Sequence, residues 1–147
     1  MKDIRILLVD DEEEFVRALS ERLSLRDLSS RTAFSGDEAL KFVGDQAPHI
    51  MVLDLKMPGT SGMQVIRMVK KRHPGIQIIV LTGHGNDLDE AEARSLGVFD
   101  YLRKPVDIEA LVARIRAAYE ASRAGTALAA AAVAEEGEPD MARRMLE

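Results

Sequence analysis

Five short apolar runs alternate with amphipathic stretches along this chain, and that alternation constrains the fold more than any other feature. The runs are Ile4 to Val9, Ser29 to Phe34, His49 to Leu53, Ile76 to Leu81 and Phe99 to Leu102. Such a pattern reads as repeated βα units with a parallel sheet. Four of the runs lead into a polar residue: Asp10 and Asp11, Asp54, Thr82 and Lys104. Parallel strands bring their carboxyl ends to one edge, where open α/β sheets bind ligands. Acids, a hydroxyl and an amine are therefore expected to converge.

The intervening stretches predict five helices. The first begins near Glu12, carries Phe15, Val16, Leu19 and Leu23 at helical spacing, and ends before Asp27. The second starts at Gly36 and Asp37, carries Ala39, Leu40 and Val43, and stops before Pro48. A loop of turn formers from Lys56 to Gly62 precedes a third helix with Met63, Ile66, Val69 and Lys70, which ends at His73 and Pro74. The run Ser29 to Phe34 is the poorest in apolar residues and belongs at a sheet edge, whereas Ile76 to Leu81 is almost wholly apolar and belongs inside. Gly83 to Leu96 offers only Leu88, Ala91 and Leu96 to a core, so this helix should be loosely held. The last helix is expected from Asp107 to Ser122 with Ile108, Leu111, Val112 and Ile115 inward. Residues 1–122 then form one domain, and 123–147 an alanine-rich, solvent-exposed tail or interdomain linker that extends the last helix and frays.

With 147 residues, 46% of them hydrophobic, the chain has the size and core content of one ordinary domain. Its 20 basic and 25 acidic residues give a net charge of −5, without a basic cluster, which argues against unaided nucleic-acid binding. The absence of cysteine excludes disulfides and thiolate chemistry. No apolar run approaches the length of a membrane helix and the start lacks the pattern of a signal peptide, so a cytoplasmic location is expected.

Taken singly, the polar residues at the strand ends have ordinary readings. Asp10 and Asp11 ahead of Glu12, Glu13 and Glu14 would cap a helix, Asp54 would sit in a turn, Thr82 would close a strand and Lys104 would enter a loop. Together they supply what phosphoryl transfer to a carboxylate requires: an oxygen nucleophile, a divalent cation and donors for the phosphoryl oxygens. Asp54 is the candidate nucleophile, and Asp10 and Asp11 are candidates to hold Mg2+ or Mn2+, since hard cations of this kind take a few carboxylates and retain waters. Thr82 Oγ1 and the Lys104 ammonium are candidate phosphoryl ligands. Gly83, His84, Gly85 and Asn86 lack the spacing of a nucleotide loop, and His49 and His73 read as structural.

Four segments at these separations, Ile6-Leu7-Leu8-Val9-Asp10-Asp11, Val52-Leu53-Asp54-Leu55-Lys56-Met57-Pro58-Gly59, Val80-Leu81-Thr82-Gly83 and Tyr101-Leu102-Arg103-Lys104-Pro105, resemble the receiver domain of two-component response regulators over residues 3–122. The resemblance implies a flavodoxin-like (βα)5 sandwich with strand order 2-1-3-4-5. It also implies Asp54 as phosphoacceptor; Asp10, Asp11, Asp54 and the Lys56 carbonyl around the metal; and Thr82 and Lys104 on the phosphoryl group. By the same resemblance Tyr101 swings inward when Thr82 moves, Lys56 and His84 tune the lifetime of the phosphorylated state, and the Lys104–Pro105 bond is cis. The implied partner is a histidine kinase or phosphotransfer protein, with no membrane and no direct nucleic-acid contact, and a homodimer can form through the fourth helix, fifth strand and fifth helix. Such a protein is a signalling switch with intrinsic autophosphorylation and autodephosphorylation rather than an enzyme acting on an external substrate. It works alone or as the receiver of a longer transcriptional or enzymatic regulator. Two other readings are an aspartyl-phosphate phosphatase and a phosphorylation-independent scaffold. The phosphatases place a second acid two residues after the nucleophile, where this chain has Lys56, and the scaffolds typically lack a pocket residue.

Overall fold

The computed structural model describes residues 3–136, with side chains as far as residue 123. Strands β1 (Ile6–Val9), β2 (Ser30–Ala33), β3 (Ile50–Leu53), β4 (Gln77–Thr82) and β5 (Asp100–Arg103) alternate with helices α1 (Glu13–Ser24), α2 (Gly36–Asp45), α3 (Gly62–Arg72), α4 (Asp87–Ser95) and α5 (Ile108–Glu136). All four strand pairings are parallel and the order is β2-β1-β3-β4-β5. This is the flavodoxin-like order. The half-polar β2, with Arg31 exposed, lies at one edge as its composition requires, and the fully buried β1 and β3 lie inside.

Side chains alternate across the sheet and build two cores. Met51 and Leu53 join Ala39, Val43, Val65, Ile66, Val69 and Ala93 on the face covered by α2, α3 and α4. Ile50 and Val52 join Val16, Leu19, Leu23, Leu111, Val112, Ile115 and Ala118 on the face covered by α1 and α5. Short polar caps fix where the helices start. Ser35 Oγ accepts from Glu38 N, and reciprocal capping boxes join Ser61 to Gln64 and Asn86 to Asp89.

One expectation about the helices needs correction. In α4, Leu88 is 80% exposed and Ala91 is exposed, whereas Ala93 is fully buried and Leu96 packs beside it. The first turn explains the rotation. Glu90 pairs with Arg103 and Asp89 with Lys56 while Ala93 enters the core, so the half-buried Asp89 and Glu90 face the body and both Asp87 and Leu88 stay in solvent. The last helix runs past Ser122 to Glu136, the extension expected of the alanine-rich segment. The turn-forming run Glu135 to Asp140 reads as a loop, but Glu135 and Glu136 are still helical, and residues 137–140 lie outside the described residues.

Candidate functional site

The sheet register builds the site. Val9 pairs with Leu53 and Leu53 with Val80, so Asp10 and Asp54 follow side by side from adjacent strands, with Thr82 two residues beyond Val80. Backbone bonds run along the rim, from Asp10 N to Ala33 O, Asp54 N to Val9 O and Lys104 N to Thr82 O, at 2.9–3.1 Å. Gly62, the first residue of α3, lies directly behind Asp54: a Cβ there would overlap the Asp54 carbonyl oxygen and come 2.6 Å from Leu55 Cα. Only glycine lets α3 press this closely on the end of β3.

Asp10, Asp54 and Thr82 are all buried, at 4%, 1% and 1% exposure, which makes them the polar members of an otherwise apolar interior. Lys104 reaches back across the rim. Its Nζ lies 2.6 Å from Asp10 Oδ2, 3.1 Å from Glu12 Oε1 and 4.2 Å from the centre of the Phe15 ring. Burial pushes the Asp10 carboxyl above the ordinary aspartate range, and the nearby Asp54 charge adds to that rise against the Lys104 and Glu12 N–H bonds. Burial pulls the Lys104 ammonium down, but the Asp10 and Glu12 carboxylates outweigh it and leave Lys104 raised. The lysine is thus a fixed positive charge at the mouth of an acidic hollow.

Asp10, Glu12 and Asp54 each offer a carboxylate oxygen, all within 4.8 Å of one another. Asp54 Oδ1 is buried with no hydrogen-bond partner. A hard cation with its waters fits such a donor set, which combines an unsatisfied buried oxygen with mutually repelling acids. Asp11 is exposed and outside this acidic group, and Glu12 stands in it instead. Glu12 was legible only as one acid in a run of three, because its place depends on Lys104, which is distant in sequence.

The other predicted residues fall around this centre. The Lys104–Pro105 bond is cis. Lys56 turns its side chain away to Asp89, with Nζ 3.4 Å from Oδ2. His84 is exposed, and its N–H donates to Thr82 Oγ1 at 3.3 Å. Tyr101 is 5% exposed and already faces inward, its hydroxyl buried without a partner. Burial raises the Tyr101 phenol above its ordinary range, partly opposed by the Arg103 charge.

A family model described as response regulator receiver domain matches residues 6–116. The chain belongs to this family. Among similar receivers of known structure, one from Clostridium thermocellum superposes with a TM-score of 0.78 at 33% identity, covering 82% of this chain and 97% of that one. The receiver of NtrX from Brucella abortus gives 0.74 at 32% identity, covering 78% and 98%. The transcriptional regulatory protein GlrR of Escherichia coli is 38% identical over 125 residues, which is 85% of this chain and 28% of GlrR. The DNA-binding transcriptional regulator NtrC of Klebsiella pneumoniae is 38% identical over 109 residues, covering 74% of this chain and 23% of NtrC. The receiver therefore spans about a quarter of these regulators' length, and the charge argument against nucleic-acid binding does not extend to them. Among its described residues no helix is long and apolar enough to cross a membrane.

Proposed function

We propose that the receiver accepts a phosphoryl group on Asp54 from the phosphohistidine of a histidine kinase or phosphotransfer protein, or from a small phosphodonor. The observation that carries this reading is the Asp54 carboxylate itself, buried at the end of an interior strand with Oδ1 unpartnered beside a second buried acid and a fixed ammonium. A bond forms between an Asp54 oxygen and phosphorus as the donor's nitrogen–phosphorus bond breaks, and the released imidazole takes up a proton from solvent. Magnesium held by Asp10, Asp54 and either Asp11 or Glu12, with the Lys56 carbonyl, would supply the charge neutralisation this transfer needs. In this reading Lys104, now bonded to Asp10, moves to a phosphoryl oxygen, and the Thr82 hydroxyl, two residues beyond Val80 on the same rim, donates to another. Later attack of water on phosphorus restores the Asp54 carboxylate and releases phosphate, and His84, exposed and bonded through its N–H to Thr82 Oγ1, is proposed to tune that step.

Incubation with acetyl phosphate and Mg2+ is expected to add one phosphoryl mass to the intact protein, and Asp54→Asn is expected to remain unlabelled. Equal labelling of both proteins would refute the assignment.

Because the receiver covers 28% and 23% of GlrR and NtrC, its output is proposed to be control of transcription through further domains of a longer regulator. Residues 1–122 are the receiver in this reading, and the segment after it is the linker. The α4–β5–α5 face carries exposed Leu88 together with the ion pairs of Arg103 with Asp87 and Glu90, and of Arg114 with Asp100. Homodimerisation through this face is proposed, and size measurement with and without beryllofluoride, a phosphoryl mimic, tests it.

A further inference from the structure

Tyr101 occupies its inward position over a residue that has no side chain. A Cβ on Gly85 would overlap the Tyr101 hydroxyl oxygen and lie 3.1 Å from Tyr101 Cζ and 3.0 Å from Thr82 Cγ2. Gly85 lies in the loop between β4 and α4, and that loop is tied down from the β5 side. Arg103 donates to the Gly85 carbonyl at 2.9 Å, pairs with Asp87 and Glu90 at 3.3 Å, and sets its guanidinium 5.5 Å from the centre of the Tyr101 ring. The loop cannot simply lift away to make room without giving up these bonds.

The geometry points to Gly85 as the positioning residue that seats Tyr101 against Thr82 before any phosphoryl group is present. A side chain at residue 85 would evict the ring and push on the threonine methyl at the same time, so one atom's absence couples the aromatic to the pocket. The unpartnered Tyr101 hydroxyl makes the inward seat an imperfect one, since a buried hydroxyl without a partner loses its solvation. The ring therefore stays inward because the space over Gly85 accepts it, and not because its hydroxyl is held there. The link between ring position and a bound phosphoryl group rests on the phosphorylation reading, but the position itself can be measured in the unmodified chain.

The test is the nuclear Overhauser contact between the ring of residue 101 and the Thr82 methyl, in the unmodified wild type and in Gly85→Ala, Tyr101→Phe and the double variant. The contact is expected in the wild type, absent in Gly85→Ala, present in Tyr101→Phe and restored in the double variant, because removing the hydroxyl removes the worst overlap. Persistence of the contact in Gly85→Ala, its absence in the wild type, or failure of the double variant to restore it would each overturn the assignment. Unfolding of Gly85→Ala that Tyr101→Phe reverses supports it, and unfolding of both refutes it. Beryllofluoride with Mg2+ should bind Gly85→Ala about 5- to 150-fold more weakly, the range typical of coupling between two sites. Equal binding would sever the ring from the pocket. If beryllofluoride binds neither protein, the phosphoryl-acceptor reading fails while the ring assignment stands on the Overhauser data.

Discussion

Gly62 and His49 show how single residues hold the site and the fold. Gly62→Ala would drive a methyl into the Asp54 carbonyl and Leu55 Cα, backbone atoms that have nowhere to go. The expected cost is about 1–3 kcal/mol, typical of overpacking, measured by urea denaturation and accompanied by slower labelling of Asp54. His49 accepts a hydrogen bond from Arg5 N at Nδ1, 2.9 Å away, and burial with the nearby Arg5 charge lowers its pKa from 6.5. Protonation is therefore easier in the unfolded chain, so stability should fall as pH drops below about 6.5 and level off beneath the lowered folded value. Denaturation at a series of pH values should show this slope in the wild type and lose that part of it in His49→Asn. Asp10, Asp54, Thr82 and Lys104 could be picked out from residue order alone, because strand periodicity dictates where a strand ends and parallel pairing dictates that ends meet. Glu12 and Gly85 could not, because their roles arise from Lys104 and Tyr101, which only tertiary packing brings to them.

Among the helices, α4 is the least committed to the interior. Ala93 is its one buried residue, whereas α1 buries Val16, Leu19 and Leu23 and α3 buries Gly62, Val65, Ile66 and Val69. Beyond Ala93 it is tied by ion pairs, Arg67 with Glu92, Lys56 with Asp89 and Arg103 with Asp87 and Glu90, at partly or, for Asp87, fully exposed positions where such pairs contribute little. Amide hydrogen exchange should be faster in α4 than in α1 or α3, and raising the salt concentration should widen the difference. Leu88→Ala should change stability by no more than about 0.5 kcal/mol, while Ala93→Leu should cost about 1–3 kcal/mol in the same denaturation assay. Apolar spacing identified the weakness of this helix but misjudged its inward face, since it is the small Ala93 rather than the larger Leu88 that seats against the core. The edge position of β2 and interior position of β4 were readable because burial on two faces demands a nearly unbroken apolar strand.

For the whole molecule, the acidic hollow links ligand binding to global stability. Mg2+ at about 100 times its dissociation constant should add about 2.7 kcal/mol, seen in calorimetry as a higher melting temperature that Asp54→Asn largely abolishes. No change in the wild type would remove the metal from the scheme. Leu23→Ala and Ile66→Ala, each fully buried but on opposite faces of the sheet, should both cost about 2–5 kcal/mol. Their functional effects should differ. Thr82, Tyr101 and α4 belong with the layer that contains Ile66, whereas Lys104 leans on Phe15, which packs with the layer that contains Leu23. The sheet is thus a bulkhead between two compartments, whose side chains are kept apart by the strands themselves. The strand tips are where the two compartments meet, so a charge bound there lies within reach of Tyr101 on one side and Phe15 on the other.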